Sequence, residues 1–326
     1  MGGAGSRDEF SIIAKYFAPL SGGFGESFDL TDDAALIDVP PGQQLVLTKD
    51  MLVAGVHFFA DDAADLIARK LLRVNISDLA GMGAAPVAYM LGFGVPANID
   101  ESWIRRFAEG LAEDQQEFDM TLLGGDSVAT PNDLTLSLTA FGLVPSGQGL
   151  TRAGAQKGDA VYVTGTIGDA ALGLAAIKGD IADPDGFLVN RYHVPQPRIV
   201  VGEALRCIAH AAMDISDGLI GDLGHMARAS NISIHIERDA VPLSAAARAI
   251  VEGNSQLWDA VTGGGDDYEL VFAAAPQNDA SITQIMQETG VTINRIGFCA
   301  DGEGVELLGP DGKALPIGQA GYNHFR

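Results

Sequence analysis

The stretch Leu71–Pro86, LLRVNISDLAGMGAAP, constrains the fold more than any other part of the chain. Its first half has helical spacing, with Leu71, Val74 and Asp78 on one face. Asn75 and Asp78 are three apart and project from the same stripe as the apolar positions. A carboxylate placed among leucines costs several kcal/mol unless it is paired or bound to a metal. Gly81 and Gly83 then offer the positive φ that ends a helix, and Pro86 keeps it from resuming. Two readings are open here: a helix C-terminus with a solvated aspartate, or a helix that carries Asp78 into a metal site.

The chain's 326 residues are too many for one ordinary core and suit two domains, divided in the Pro/Gly-rich stretch Pro145–Leu150, with residues 1–148 and 149–326 on either side. Apolar residues make up 47%, enough for globular cores. A net charge of −23 argues against a nucleic-acid backbone or an anionic membrane surface as partner. Cys207 and Cys299 form no metal or redox spacing, so a reduced, cytoplasmic compartment is expected. The N-terminus shows no basic region followed by an apolar run, and no signal peptide is expected. Leu79–Ile99 carries no charge, but its glycines and prolines break it repeatedly. It reads as a buried strand with flanking turns rather than a membrane span.

Along the first half, Glu9–Phe17 reads as a short amphipathic helix, Gln44–Asp50 as a strand and Asp100–Phe118 as a helix with a Trp103/Phe107/Leu111 core stripe. Asp32-Asp33 lies between apolar segments, and His57 falls just beyond the first strand. Met120–Asp126 is an apolar strand expected to end at Gly124-Gly125-Asp126, where paired glycines admit close approach. Leu134–Val144 alternates as a half-buried strand.

In the second half, Asp159–Thr164 is a strand and Ala170–Lys178 a helix, joined by the turn Gly165–Asp169. A helix N-terminus of this kind binds phosphate, although Asp169 competes for its amides and the dinucleotide fingerprint is missing. Gly179–Pro197 reads as a polar linker, followed by a helix over Arg198–Ala209. Met213–Leu219 (MDISDGL) precedes the helix Leu219–Ala229, with Ser216 or Asp217 as a cap. Strands at Ile232–Glu237 and Leu270–Ala275, a helix at Ser281–Thr289 and two further strands follow. The acidic loop Gly263–Glu269 (GGGDDYE) sits before Leu270.

Asp33, Asp50, Asp78, Asp126, Asp214 and Asp217 each fall at an element end near small residues, unlike the Glu/Lys pattern of a solvated helix. Carboxylates presented this way suit hard cations such as Mg²⁺. Without a cation they would repel one another and any phosphorylated ligand. The pattern points to Mg²⁺-dependent phosphate chemistry, and the absence of GxxxxGK[ST] argues against a P-loop.

The segments LTDDAAL, TKDMLVAGVHF, VNISDLAGMGAAP, LLGGD, LTRAGAQKGDAVYVTGTIGD, DISDGLIGDL, GGGDDYEL and GYNHF occur in this order along nearly the whole chain. Together they resemble the bacterial thiamine-monophosphate kinase family, of the aminoimidazole ribonucleotide synthetase/selenophosphate synthetase superfamily. The resemblance implies an α/β fold of two domains: an N-terminal mixed sheet with helices that dimerises, and a C-terminal α/β domain that closes the active-site cleft. It implies transfer of the γ-phosphoryl group of ATP onto thiamine monophosphate, giving thiamine diphosphate, with several Mg²⁺ ions and a homodimer. Carried over by motif, Asp33, Thr48, Asp50, Asp78, Asp126, Asp214 and Asp217 would hold Mg²⁺. Gly125, Asp126, Arg152 and Ser216 would hold ATP, and His57, Asp266 and Tyr322 the thiamine side. The acceptor is already an anionic phosphate oxygen, so no residue is assigned as a proton-transfer catalyst.

This chain departs from the family pattern at three positions. Thr31 stands where glycine is usual, Lys49 where the motif has a hydroxyl residue, and Asp266 where glutamate is common. Another superfamily reaction, such as that of aminoimidazole ribonucleotide synthetase, is the alternative enzyme. A non-catalytic acidic cation-binding protein is the alternative of a different class.

Overall fold

The computed structural model describes residues 9–318 and Gly321, and it divides into two compact units. The first comprises residues 1–79 and 85–146, and the second residues 80–84 and 147–326.

In the first unit the expected N-terminal helix is a single α-turn, α1 (Glu9–Ile12), continued by a π-helical turn over Ile13–Phe17. The strands are β1 (Gln43–Val53), β2 (Ala85–Pro96), β3 (Thr121–Thr130) and β4 (Thr135–Pro145), and the long helices are α2 (Ala64–Gly81) and α3 (Glu101–Phe118). Asp100 caps α3, its carboxylate accepting from the Trp103 amide at 2.8 Å. The sheet order is β1-β4-β2-β3, antiparallel except for the parallel β2–β3 pair. This is the mixed sheet that the sequence implied. Leu71, Leu72, Ile76 and Leu79 of α2 are fully buried together with Phe107 and Leu111 of α3. The two helices are also tied by charge: Arg73 donates twice to the buried Asp114, at 2.8 Å each.

Only one of the two expected helix-ending glycines uses left-handed backbone. Gly83 has φ 66°, whereas Gly81 is needed for space. A Cβ there would lie 3.1 Å from the Asp214 amide nitrogen. Strand β3 does not end at Asp126 but runs on to Thr130, paired with β2 except for a bulge at Leu123. At Gly125 a Cβ would sit 1.9 Å from the Leu91 carbonyl oxygen, so the second glycine serves the contact with β2.

The second unit contains β5 (Ala160–Thr164), α4 (Asp169–Ile177), α5 (Phe187–His193), α6 (Ile199–Leu205), β6 (Ala209–Asp214), α7 (Leu219–Ser230), β7 (Ser233–Glu237), α8 (Ala245–Gly253), α9 (Trp258–Gly263), β8 (Leu270–Ala274), α10 (Asp279–Thr289), β9 (Ile293–Ala300) and β10 (Gly304–Leu308). The sheet order is β10-β7-β9-β5-β8-β6, with β10–β7 parallel and the other pairs antiparallel. Alternation in β5 serves two cores. Val161 and Val163 pack with Leu219 and Leu223 of α7, and Ala160 and Tyr162 with Leu205 of α6 and Ile282 of α10. The polar linker therefore contains a helix, α5. The predicted helix over Arg198–Ala209 stops at Leu205 and gives way to strand β6. Among the described residues no helix is long and apolar enough to cross a membrane, as expected for Leu79–Ile99, most of which is β2.

Candidate active site

In the first unit the expected site residues fall into two groups. Thr48 and Asp50 alternate with Lys49 along β1 and face α2, because the Thr48 hydroxyl donates to the Asp78 carboxylate and the Asp50 amide donates to Asn75 Oδ1 at 3.1 Å. Asn75 is held in turn by its Nδ2, which donates to the Leu71 carbonyl at 2.9 Å. The polar stripe on α2 is thus built against β1, which does not end at Asp50 but runs on to Val53. Lys49 projects from the other face of the sheet, where its ammonium donates to Ser137 Oγ at 2.5 Å. His57 turns back on its own strand, its Nδ1 accepting from the Val53 amide at 3.1 Å.

The second group lines a cavity of about 150 Å³, walled by Asp32, Asp33, Gly124, Gly125, Asp126 and Ser127, with Phe17, Leu91 and Phe93 below. The chain enters it through Phe28, Asp29 and Leu30, three consecutive non-glycine residues with φ between 52° and 57°. Left-handed backbone costs about 1–2 kcal/mol at such a residue, so the segment is strained beside the paired aspartates. The Thr31 hydroxyl closes the turn on the Phe28 carbonyl at 2.7 Å.

In the second unit Asp214 ends β6, and Ser216 and Asp217 occupy the loop into α7. This loop and the Gly263–Glu269 loop are laced together. The Asp266 amide donates to the Ser216 carbonyl at 2.9 Å, and the Tyr268 amide to the Ile215 carbonyl at 2.8 Å. A Cβ on Gly265 would meet the Ser216 oxygen at 2.3 Å. Asp266 and Tyr268 both take left-handed backbone, at φ 71° and 50°. The structure thus brings Ser216, Asp217 and Asp266 together. Arg152 is exposed. Tyr322 lies outside the described residues.

The N-termini of α4 and α7 are occupied by the chain's own carboxyls. At α4 the competitor is not Asp169 but Asp267, which accepts from the Gly168 amide at 2.8 Å and the Ala170 amide at 3.4 Å. Asp169 instead receives the Thr166 and Ser244 hydroxyls, at 2.5 and 2.6 Å. At α7 Asp222 takes the amides of Ser216, Asp217 and Gly218 at 3.0, 3.0 and 3.2 Å. Burial pushes the Asp222 carboxyl up to about 7 and the Asp267 carboxyl well above the ordinary carboxylate range, against the pull of these amides. Partial burial, helped by Arg228 and Arg152, depresses His225 below the usual imidazole value. Behind the acidic loop, the buried Glu269 receives Nε and Nη2 of Arg198 at 2.6 Å each, Arg191 at 2.9 Å and the Thr164 hydroxyl at 2.7 Å. A buried carboxylate needs such compensation.

Family models for the AIR synthase related protein match both halves, the N-terminal domain over residues 31–144 and the C-terminal domain over residues 156–309. The chain is 43% identical to the thiamine-monophosphate kinase of Caulobacter vibrioides over 319 residues, which covers 97% of this chain and 90% of that one. It belongs to the thiamine-monophosphate kinase family. A crystal structure of the Stenotrophomonas maltophilia thiamine-monophosphate kinase superposes with TM-score 0.80 at 41% identity, covering 87% of this chain and 90% of that one. AaThiL complexed with AMPPCP and TMP gives TM-score 0.78 at 28% identity, covering 90% and 91%.

Against this family background, sequence reasoning missed Asp222, Asp267, Glu269 and the two arginines that neutralise Glu269. Asp222 did leave a signal, an acid in the first turn of α7, four residues after Gly218. Arg191 and Arg198 left none, because each is distant in sequence from the loop it supports.

Proposed function

We propose that the protein transfers the γ-phosphoryl group of ATP to the phosphate of thiamine monophosphate, giving thiamine diphosphate and ADP. The observation that carries this reading is the near-full-length match to thiamine-monophosphate kinases, a family that includes a structure complexed with AMPPCP and TMP. Asp33, Thr48, Asp50, Asp78, Asp126, Asp214 and Asp217 are the proposed Mg²⁺ ligands. Their all-oxygen donor set fits a hard cation. Mg²⁺ bound there would neutralise charge on the phosphate oxygens. The amides at the N-termini of α4 and α7 are already taken by Asp267 and Asp222, which favours a cation rather than these amides as the partner of a phosphate at the two loops.

Gly125, Asp126, Arg152 and Ser216 are proposed to hold ATP, and His57, Asp266 and Tyr322 the thiamine side. Phosphoryl transfer to an acceptor that is already an anion needs positioning and charge stabilisation rather than a base. No side chain of this protein is therefore asked to take a proton. We also place the enzyme in the cytoplasm and read it as a homodimer.

The test is incubation of the protein with ATP, Mg²⁺ and thiamine monophosphate. Thiamine diphosphate and ADP should accumulate in equal amounts, and chelation of Mg²⁺ should stop both. No thiamine diphosphate, with ADP released when formylglycinamidine ribonucleotide is supplied, would move the assignment to the synthetase reaction.

A further inference from the structure

The loop Ser216–Gly218 presents three consecutive amides to one oxygen atom. Asp222 Oδ2 accepts from Ser216 at 3.0 Å, Asp217 at 3.0 Å and Gly218 at 3.2 Å, and the residue is only 2% exposed. Gly218, at the N-cap of α7, has no side chain with which to cap the helix. A run of inward-facing amides at a helix N-terminus ordinarily attracts a ligand anion. Here the acceptor is a carboxyl oxygen of the chain itself, so the amides are spoken for before any nucleotide arrives. The loop's carbonyls are spoken for as well, those of Ile215 and Ser216 by the amides of Tyr268 and Asp266. With both edges of the backbone fixed, the half-exposed side chains of Ser216 and Asp217 are the groups the loop holds out for a ligand.

We propose that Asp222 is a positioning residue for nucleotide and metal binding, fixing the Ser216–Gly218 backbone so that the Asp217 carboxylate and Ser216 hydroxyl are preset to receive Mg²⁺-ATP. This deepens the kinase reading above and rests on it. The same lacing reaches Asp266 only through its backbone amide, so the preset concerns the nucleotide and metal side.

Two other roles compete. Asp222 could serve only as a cap for α7, or it could itself ligate the cation, since its carboxylate, that of Asp217 and the ring of His225 have ligand atoms within 4.8 Å of one another. Ligation through Oδ2 is disfavoured because that atom already serves three donors, and ligation through His225 Nδ1 because Arg228 Nη2 lies 2.9 Å from it.

Asp222→Ala and Asp222→Asn separate these roles, because Asn keeps an oxygen acceptor but loses the charge. In Asp222→Ala the half-saturating Mg²⁺ concentration and the KM for ATP should each rise at least about tenfold, the size of effect typical for residues that orient metal ligands. The KM for thiamine monophosphate should move far less. Asp222→Asn should restore both constants to near the wild-type values. Wild-type constants in folded Asp222→Ala would leave only a cap and overturn the proposal. A defect in Asp222→Asn as large as in Asp222→Ala would overturn it in favour of direct ligation.

Hydrogen exchange over Ile215–Leu219 in the ligand-free wild-type protein tests the preset without any turnover, and so covers an Asp222→Ala that does not fold. Slow exchange is expected, and rapid exchange would overturn the preset. A wild type that makes no thiamine diphosphate would sink the kinase reading, whatever the exchange result.

Discussion

Asp78 and Asp267 are both short acids next to a hydroxyl or an amide, yet their surroundings set them to different tasks. Asp78 is half-buried and receives the Thr48 hydroxyl, so a neutral Asn of the same shape can keep that bond while losing the charge. Asp78→Asn should therefore melt close to wild type and lose about 10²-fold or more in turnover at limiting Mg²⁺, the scale for losing one preorganised electrostatic contact. Wild-type activity at limiting Mg²⁺ would return Asp78 to the plain helix-terminus reading.

Asp267 is 1% exposed, and burial raises its carboxyl well above the usual range. The sign follows from linkage. The folded form keeps this proton to higher pH than the unfolded chain does, so stability is lost as pH rises from about 4 toward the folded value. Asp267→Asn mimics the protonated acid and removes that loss. Its melting temperature relative to wild type should climb between acidic and neutral pH, and a difference that stays flat with pH would show Asp267 to be ionised throughout. The acids proposed for the site drew notice in the sequence as carboxylates beside small residues, although Asp50 and Asp126 lie within β1 and β3 rather than at their ends. Asp267 and Glu269 did not, since their roles depend on partners about 70 to 100 positions away.

Strand β3 shows how an element can be read correctly and bounded wrongly. Its apolar run and glycine pair were plain, but the pair looked like a stop with room for a ligand. Parallel pairing with β2 carries the strand past it, and Gly125 is small because the Leu91 carbonyl occupies the space. Gly125→Ala should accordingly lose about 4 kcal/mol or more, in the range reserved for severe steric insertions. Gly124→Ala, whose nearest neighbour would be Met90 Cε at 3.7 Å, should lose about 1 kcal/mol or less. Urea denaturation of both variants checks the contrast, and equal losses would refute it. Alternation in β1 was legible and decides Lys49. Facing Ser137 on the opposite side from Asp50, it should leave the Mg²⁺ titration unchanged on replacement by Thr. Strand β6 escaped notice because AHAAMD lacks the branched and aromatic residues that mark strands. Helix α5 is only seven residues long, too short to show a period against its polar surroundings.

At the scale of the whole molecule, the two-domain α/β plan was legible because each half alternates strands with helices, and assembly is the level above it. The first unit's sheet has α2 packed on one face, while among the described residues the other is covered at one end, where Phe24, Ala35 and Ile37 pack on Leu45, Ala88, Leu123 and Phe141. Beyond that cover Leu47, Met51 and Met90 stand 58%, 54% and 38% exposed, with the small residues Gly92, Ser137 and Thr139 at neighbouring register positions. Lys49 also stands on this face with its ammonium on Ser137, but exposed apolar side chains grouped in this way are ordinarily buried against something. The proposed homodimer supplies a second copy. Each copy carries a net charge of −23, so long-range repulsion opposes pairing and apolar burial has to overcome it. Raising the salt concentration screens that repulsion and leaves the apolar contribution in place, so the dimer should tighten or hold as salt rises. Carboxylates on the face add desolvation and like-charge repulsion together, and the double variant Leu47→Glu/Met51→Glu should sediment as a folded monomer. Analytical ultracentrifugation of both proteins at micromolar concentration, with circular dichroism to verify the fold, decides the matter. A monomeric wild type, or a double variant that dimerises as well as wild type, would remove this face as the dimer contact.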